Sequence, residues 1–264
     1  MRPARLLLIA ALAAAAALST ALPAAAAPAA INYVALGDSY SSGLGTGTYI
    51  SGSGSCKRSN YAYPALWAAA HSVSTFTFVA CSGAKTGDVV ANQVASLNSS
   101  TTLASISIGG NDAGFTDVIT TCTFGSDQDC VNRTNTAKAY AQNTLPGLLD
   151  NVYGQIRGKA PSAKVVVLGY PRIYKVPGSC NVGLSDTKRA AINSASDVLA
   201  TVISGRASAR SFTYQDVRTA FTGHEICSGD WWLNSLSFPV DESYHPNRNG
   251  QKLGYLPALT AATG

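Results

Sequence analysis

The sequence predicts an α/β domain: a parallel sheet covered by helices on both faces. Three observations carry that expectation. Five short β-rich runs each end in a Gly- or Ser-rich loop, and stretches of helical periodicity lie between them. Strands alternating with helices imply right-handed crossovers that leave neighbouring strands parallel. No internal repeat and no Pro- or Ser-rich linker divides residues 27–264, so they read as one domain.

The runs are, in order, Tyr33 to Leu36, Phe76 to Ala80, Leu103 to Ile108, Lys164 to Leu168, and Phe212 to Asp216. Between the third and fourth, Leu145, Leu148, Leu149, Val152 and Ile156 recur at helical spacing. Thr144 stands at the capping position, and Pro146 lies in the first turn, where its missing N–H is not needed. A second helical pattern, Ile192, Ala195, Leu199, Val202 and Ile203, follows Ser185.

Residues 1–26 read as a signal peptide. Arg2 and Arg5 precede an apolar run from Leu6 to Leu18, short of the ~20 residues that span a bilayer, and a tract of small residues follows. The expected location is therefore outside the cell. Removing the two arginines lowers the formal net charge of +5 to +3, and the basic residues are scattered, with no run longer than Lys57-Arg58 or Lys188-Arg189. Nucleic-acid binding needs clustered charge and is excluded. A hydrophobic share of 46% with 12% charged residues excludes a disordered chain.

Export changes the meaning of the six cysteines, Cys56, Cys81, Cys122, Cys130, Cys180 and Cys227. An even number in an oxidising compartment predicts three disulfides, and the lack of any C-x-x-C pair argues against zinc. Fifteen connectivities are open for six cysteines. Local sequence favours only Cys122 with Cys130, across a turn at Gly125 and Ser126.

Ligands of an open parallel sheet bind at the carboxyl ends of its strands. Three such ends run into polar loops: GDSYSSG from Gly37, CSGA from Cys81, and GGNDAG from Gly109. Brought to one edge, they supply a hydroxyl, backbone amides beside Gly83 and the Asn111 carboxamide, the parts needed for acyl transfer. A serine nucleophile needs a base, and the chain has three histidines. His71 ends an apolar run and reads as a surface or packing residue. His224 reads as a loop residue near Cys227. His245 follows Asp241 and Glu242 and precedes a helix-like run, which makes it the best base.

Those blocks, in that order, resemble the SGNH (GDSL-type) hydrolases, and more narrowly the secreted bacterial lipases and phospholipases of that family. The resemblance runs from Tyr33 to about the last ten residues. It implies a three-layer flavodoxin-like fold with strand order 2-1-3-4-5, Ser39 as nucleophile, and the Ser39 and Gly83 amides with Asn111 as oxyanion hole. It further implies His245 as base, no metal or cofactor, and disulfides in sequential order: Cys56 with Cys81, Cys122 with Cys130, Cys180 with Cys227. The family places Asp three residues before the base, whereas position 242 is Glu. Glu242 is one methylene too long for an unchanged backbone and Asp241 starts one residue too early, so the group orienting His245 is expected to be a backbone carbonyl, that of Ser243.

Several other features have plainer readings. Asp38 and Asp112 read as loop braces. The glycines from Gly43 to Gly47 start no helix, so they do not read as a phosphate cradle. Trp231, Trp232, Leu233 and Phe238 either line an acyl site or cover the core. The function expected is a secreted, monomeric hydrolase of lipid carboxylic esters acting through an acyl-enzyme, without a membrane anchor. The alternatives are a phospholipase A, a carbohydrate acetylesterase and, from another class, a catalytically silent binding module.

Overall fold

A computed structural model of the chain describes residues 30–180 and 183–263. The signal segment expected over residues 1–26 lies outside them. Five strands, β1 (Ile31–Ala35), β2 (Val73–Phe78), β3 (Leu103–Ile106), β4 (Lys164–Leu168) and β5 (Thr213–Gln215), form one sheet in the order β2-β1-β3-β4-β5. Every pairing is parallel. β3 is buried throughout and β4 from Val165 onward, as strands covered on both faces must be, and their sequences are correspondingly near-continuous apolar runs. The edge strand β2 is only partly buried and carries Ser74, Thr75 and Thr77.

The helices are α1 (Ser39–Ser42), α2 (Tyr63–Ala70), α3 (Thr86–Asn92), α4 (Phe115–Phe124), α5 (Asp127–Asn143), α6 (Leu145–Lys159), α7 (Asp186–Ala209) and α8 (Leu256–Thr263). α2 packs on α8, and α6 packs on both α3 and α7, which gives the two helical layers. The face of α6 that meets the core is Leu145, Leu149, Val152, Tyr153 and Ile156, close to the sequence pattern. Ser185 caps α7 by accepting the Lys188 amide at 3.2 Å.

Two local expectations need correction. Thr144 makes no side-chain cap: its backbone is already helical and its N–H goes to Tyr140 O, so it closes α5 at the same residue where α6 begins. The third strand stops at Ile106, two residues before Ile108. Ser107 leaves the ladder because its N–H donates to Ser41 Oγ and its carbonyl accepts from the Asp38 amide. The strand end is thereby spent on fixing the neighbouring turn after β1.

Disulfides join Cys56 to Cys81, Cys122 to Cys130, and Cys180 to Cys227. The first ties the Gly/Ser-rich loop after α1 to the end of β2. The second joins α4 to α5 across the Gly125-Ser126 turn, where Ser126 and Asp129 form a reciprocal capping box. Closing loops of such lengths stabilises typically by ~2–4 kcal/mol each through the unfolded chain.

The connection after β1 leads to β2 on one side of the sheet and that after β3 leads to β4 on the other, so a crevice opens outside the carboxyl ends of β1 and β3.

Candidate active site

The turn after β1 is built so that a side chain at position 39 faces that crevice. Gly37 takes φ +124°, and a Cβ there would come within 2.6 Å of Ser107 O, so glycine is required. Gln93, buried beneath it, accepts from the Gly37 amide at 2.8 Å and donates to its carbonyl at 2.9 Å. Asp38 caps α1: Oδ1 accepts from the Tyr40 amide (3.0 Å) and Ser107 Oγ (2.8 Å), and Oδ2 accepts from Tyr170 Oη (2.5 Å). Burial pushes the Asp38 carboxyl up to about 6, against the pull of those three donors. Among the described residues no histidine bonds to Asp38; it braces the turn.

His245 Nε2 lies 2.8 Å from Ser39 Oγ, and Nδ1 lies 2.8 Å from the Ser243 carbonyl. A carbonyl only accepts, so the proton is on Nδ1 and the Nε2 lone pair faces the serine hydroxyl. Burial holds the imidazole pKa down at about 4, although the Ser243 carbonyl and Asp241 favour the charged form. Gly45 lets this arrangement close: with φ +98°, it sits where a Cβ would press within 2.9 Å of the His245 Cβ.

The Ser243 carbonyl is aimed by backbone and by residues the sequence did not disclose. Tyr244 adopts φ +63°, and its N–H donates to Asn234 O while its carbonyl accepts from Tyr40 Oη at 2.8 Å. The Asn234 amide donates to His245 O, and its Nδ2 donates to the carbonyls of Gly45 and Glu242. The two nearby acids point elsewhere. Glu242 Oε1 accepts from Tyr49 Oη at 2.6 Å, and Asp241 pairs with Lys57 at 3.8 Å.

Across the crevice, Asn111 Nδ2 donates to Ala84 O at 3.0 Å, which orients its carboxamide and uses one of its two hydrogens. The amides of Ser39 and Gly83 donate to no acceptor among the described residues. Asp112 turns away and accepts from the Thr86 amide and hydroxyl, holding the loop after β3 to the start of α3.

These groups line one cleft of about 310 Å3, walled by Phe115, Ile119 and Val240 and floored by Ser39, Gly83 and Asn111. A narrow recess continues from Ser39 past Tyr170 to Ile173 and Leu199. A second hollow of about 410 Å3 adjoins Gly83 and Asn111 and is edged by Lys85, Asp112 and the Arg133–Asp117 ion pair.

The other candidates lie apart from the cleft. His71 ends α2, stacked on Trp67 with Nδ1 at Trp67 O. His224 stacks on Trp232 at 3.6 Å. Trp232 and Leu233 are buried in the core, so of the two readings for that segment they take core cover. Phe238 takes neither, being 89% exposed. No cluster of three or more metal-ligating side chains occurs among the described residues, and no described helix is long and apolar enough to cross a membrane.

The sequence matches the GDSL-like Lipase/Acylhydrolase family over residues 35–253. It is 61% identical to Lipase 1 of Streptomyces coelicolor over 254 residues, covering 95% of this chain and 94% of that protein. Among solved structures it is similar to a phospholipase A1 from Streptomyces albidoflavus (59% identity, TM-score 0.87) and to an extracellular lipase from Streptomyces rimosus (58% identity, TM-score 0.87). Each comparison covers 89% of this chain and 100% of the solved one.

Proposed function

The chain belongs to the GDSL-like lipase/acylhydrolase family and is a carboxylic-ester hydrolase, and from that premise we propose that it is exported and cleaves lipid esters at Ser39. The observation that carries the reading is the 2.8 Å contact between Ser39 Oγ and the lone-pair nitrogen of His245, at the floor of a largely apolar cleft. Oγ attacks the ester carbonyl as Nε2 takes its proton. The oxyanion that develops accepts from the Ser39 and Gly83 amides and from the unused hydrogen of Asn111. The imidazolium, steadied by the Ser243 carbonyl, protonates the departing alcohol, and a water activated by the same nitrogen frees the fatty acid. Export is supported by the signal pattern of residues 1–26, the three disulfides and the similarity to an extracellular lipase of Streptomyces rimosus.

Assay on p-nitrophenyl esters of graded length, emulsified triglyceride, phosphatidylcholine and acetylated xylan tests the substrate class. Medium- or long-chain esters should be hydrolysed faster than acetylated xylan; the reverse would replace the reading with a carbohydrate esterase. Phospholipid hydrolysis is the second reading, supported by the 59% identity to a phospholipase A1 from Streptomyces albidoflavus. Failure to label with a fluorophosphonate would leave only a binding module.

Asp241→Ala and Glu242→Ala should each keep most of the wild-type kcat, because neither carboxylate touches the imidazole. A fall near the ~10⁴-fold caused by neutralising a triad acid would identify that residue as the orienting group in place of the carbonyl.

The pH profile has a worked sign. The base acts as neutral imidazole, so kcat/KM should be flat through pH 6.5 and fall only as pH drops through about 4. Stability does not supply the same limb. Between pH 6.5 and about 4 the unfolded chain takes up a proton that folded His245 refuses, which destabilises the fold on acidification. Over nearly the same range folded Asp38, at about 6 against an ordinary 3.8, takes up a proton before the unfolded chain does, which stabilises it. The two oppose each other, so activity lost near pH 4 should return on neutralisation. An acidic limb centred near pH 6.5 would show that His245 is not held down.

A further inference from the structure

Phe124 and Phe238 are 85% and 89% exposed, the two most exposed large hydrophobic side chains described. Neither ring meets another aromatic ring among the described residues. A phenyl group held in water forgoes a large favourable burial, and grouped exposed apolar side chains mark surfaces that something covers.

Both rings belong to segments that wall the catalytic cleft. Phe124 ends α4, whose Phe115, Thr116, Ile119 and Thr120 face the cleft. Thr116, Thr120 and Phe124 repeat every fourth residue and so share one row of that helix, and at ~1.5 Å per residue Phe124 stands about 13 Å beyond Phe115. On the other wall, Phe238 lies two residues before Val240, which lines the cleft and is itself 57% exposed; Leu236 adds another half-exposed side chain. The carboxylate nearest this segment, Asp241, is offset by Lys57.

We infer that Phe124, Phe238 and Val240 form a rim that docks the mouth of the cleft onto a lipid surface. The inference rests on the lipid-ester reading above. A protein or a second copy of this chain seated on both rings would cap the opening that the acyl chain must enter. A lipid surface seated there delivers the ester into it, and asks of the rim only apolar area beside the opening, which is what the rim has.

The test is the double variant Phe124→Ser/Phe238→Ser, whose positions are too exposed to matter to the core. Binding is read by sedimentation with sucrose-loaded vesicles of ether-linked phosphatidylcholine, which no esterase cleaves, so the result is independent of the reaction. The double variant should bind about 100-fold more weakly, roughly tenfold per ring. It should lose emulsified triglyceride hydrolysis to match, while kcat/KM on dissolved p-nitrophenyl butyrate stays unchanged. Phe124→Leu/Phe238→Leu should recover most of the binding. Equal vesicle binding by wild type and the double serine variant overturns the inference. So does a wild-type dimer in sedimentation velocity that the double variant dissolves while neither binds vesicles. If wild type cleaves no lipid ester in any physical form, the lipid-ester reading itself has failed; if wild type and the double variant cleave emulsified and dissolved esters alike, only the docking rim has.

Discussion

Ser39→Ala is expected to fold as the wild type and to lose about 10⁶-fold in kcat, the scale seen when a serine hydrolase loses its nucleophile. Folding survives because Ser39 Oγ has one partner among the described residues, His245 Nε2. The turn itself is held by groups the substitution leaves alone: the Asp38 carboxylate, the Gln93 clasp on Gly37, and the Gly43 and Leu44 amides on the Ser39 carbonyl. Mass spectrometry after fluorophosphonate treatment should place the adduct on the peptide containing Ser39 in the wild type and find none in the variant. An adduct on Ser82 or Ser243, both of which border the same cleft, would move the nucleophile.

The second large effect is expected at Asn111. Its Nδ2 gives one hydrogen to Ala84 O, and in the proposed mechanism the other meets the oxyanion that forms above Ser39. A donor fixed before the reaction costs nothing to reorganise when negative charge appears on the carbonyl oxygen. Removing such a donor typically lowers kcat by about 10²–10³-fold, or about 2.7–4 kcal/mol. Asn111→Ala should therefore fall within that range in kcat while KM moves little. A change confined to KM would mean that Asn111 holds the substrate equally in the ground and transition states.

Much of the fold was legible because its signals are local. The apolar runs that became β3 and β4 are continuous because both faces are covered, and the α6 face repeats at helical spacing. α5 was not legible: it is polar almost throughout, buries only Cys130, Thr134, Ala137 and Ala141, and its start is marked by a capping box. The end of β3 was misjudged because Ser107 pairs with a turn about 70 positions earlier, which no periodicity reports. At the site, the loops that carry Ser39, Gly83 and Asn111 could be found from their composition at strand ends, and His245 from the acids before it and the helix-like run after it. Their supports could not. Gln93, Tyr170, Asn234 and Tyr49 act through contacts with residues 56, 132, 189 and 193 positions away. Before folding they are an ordinary glutamine, an asparagine and two tyrosines.

The carbonyl at Ser243 changes what inheritance can damage. A carboxylate partner is encoded by one codon, and a single base change can erase it; a main-chain oxygen is supplied by every amino acid, so substitution at position 243 cannot delete the acceptor. The liability moves to the side chains that hold the main chain in place, Tyr40 on the Tyr244 carbonyl and Asn234 on Gly45 and Glu242, which lie far from any motif that names an acid. Asp241 still acts on the imidazole through its charge, but neither side chain at positions 241 and 242 supplies the acceptor that orients it. A survey of genomes that demands an aspartate three places before the histidine would pass over chains such as this one, and would count as degenerate a site whose base is fully held.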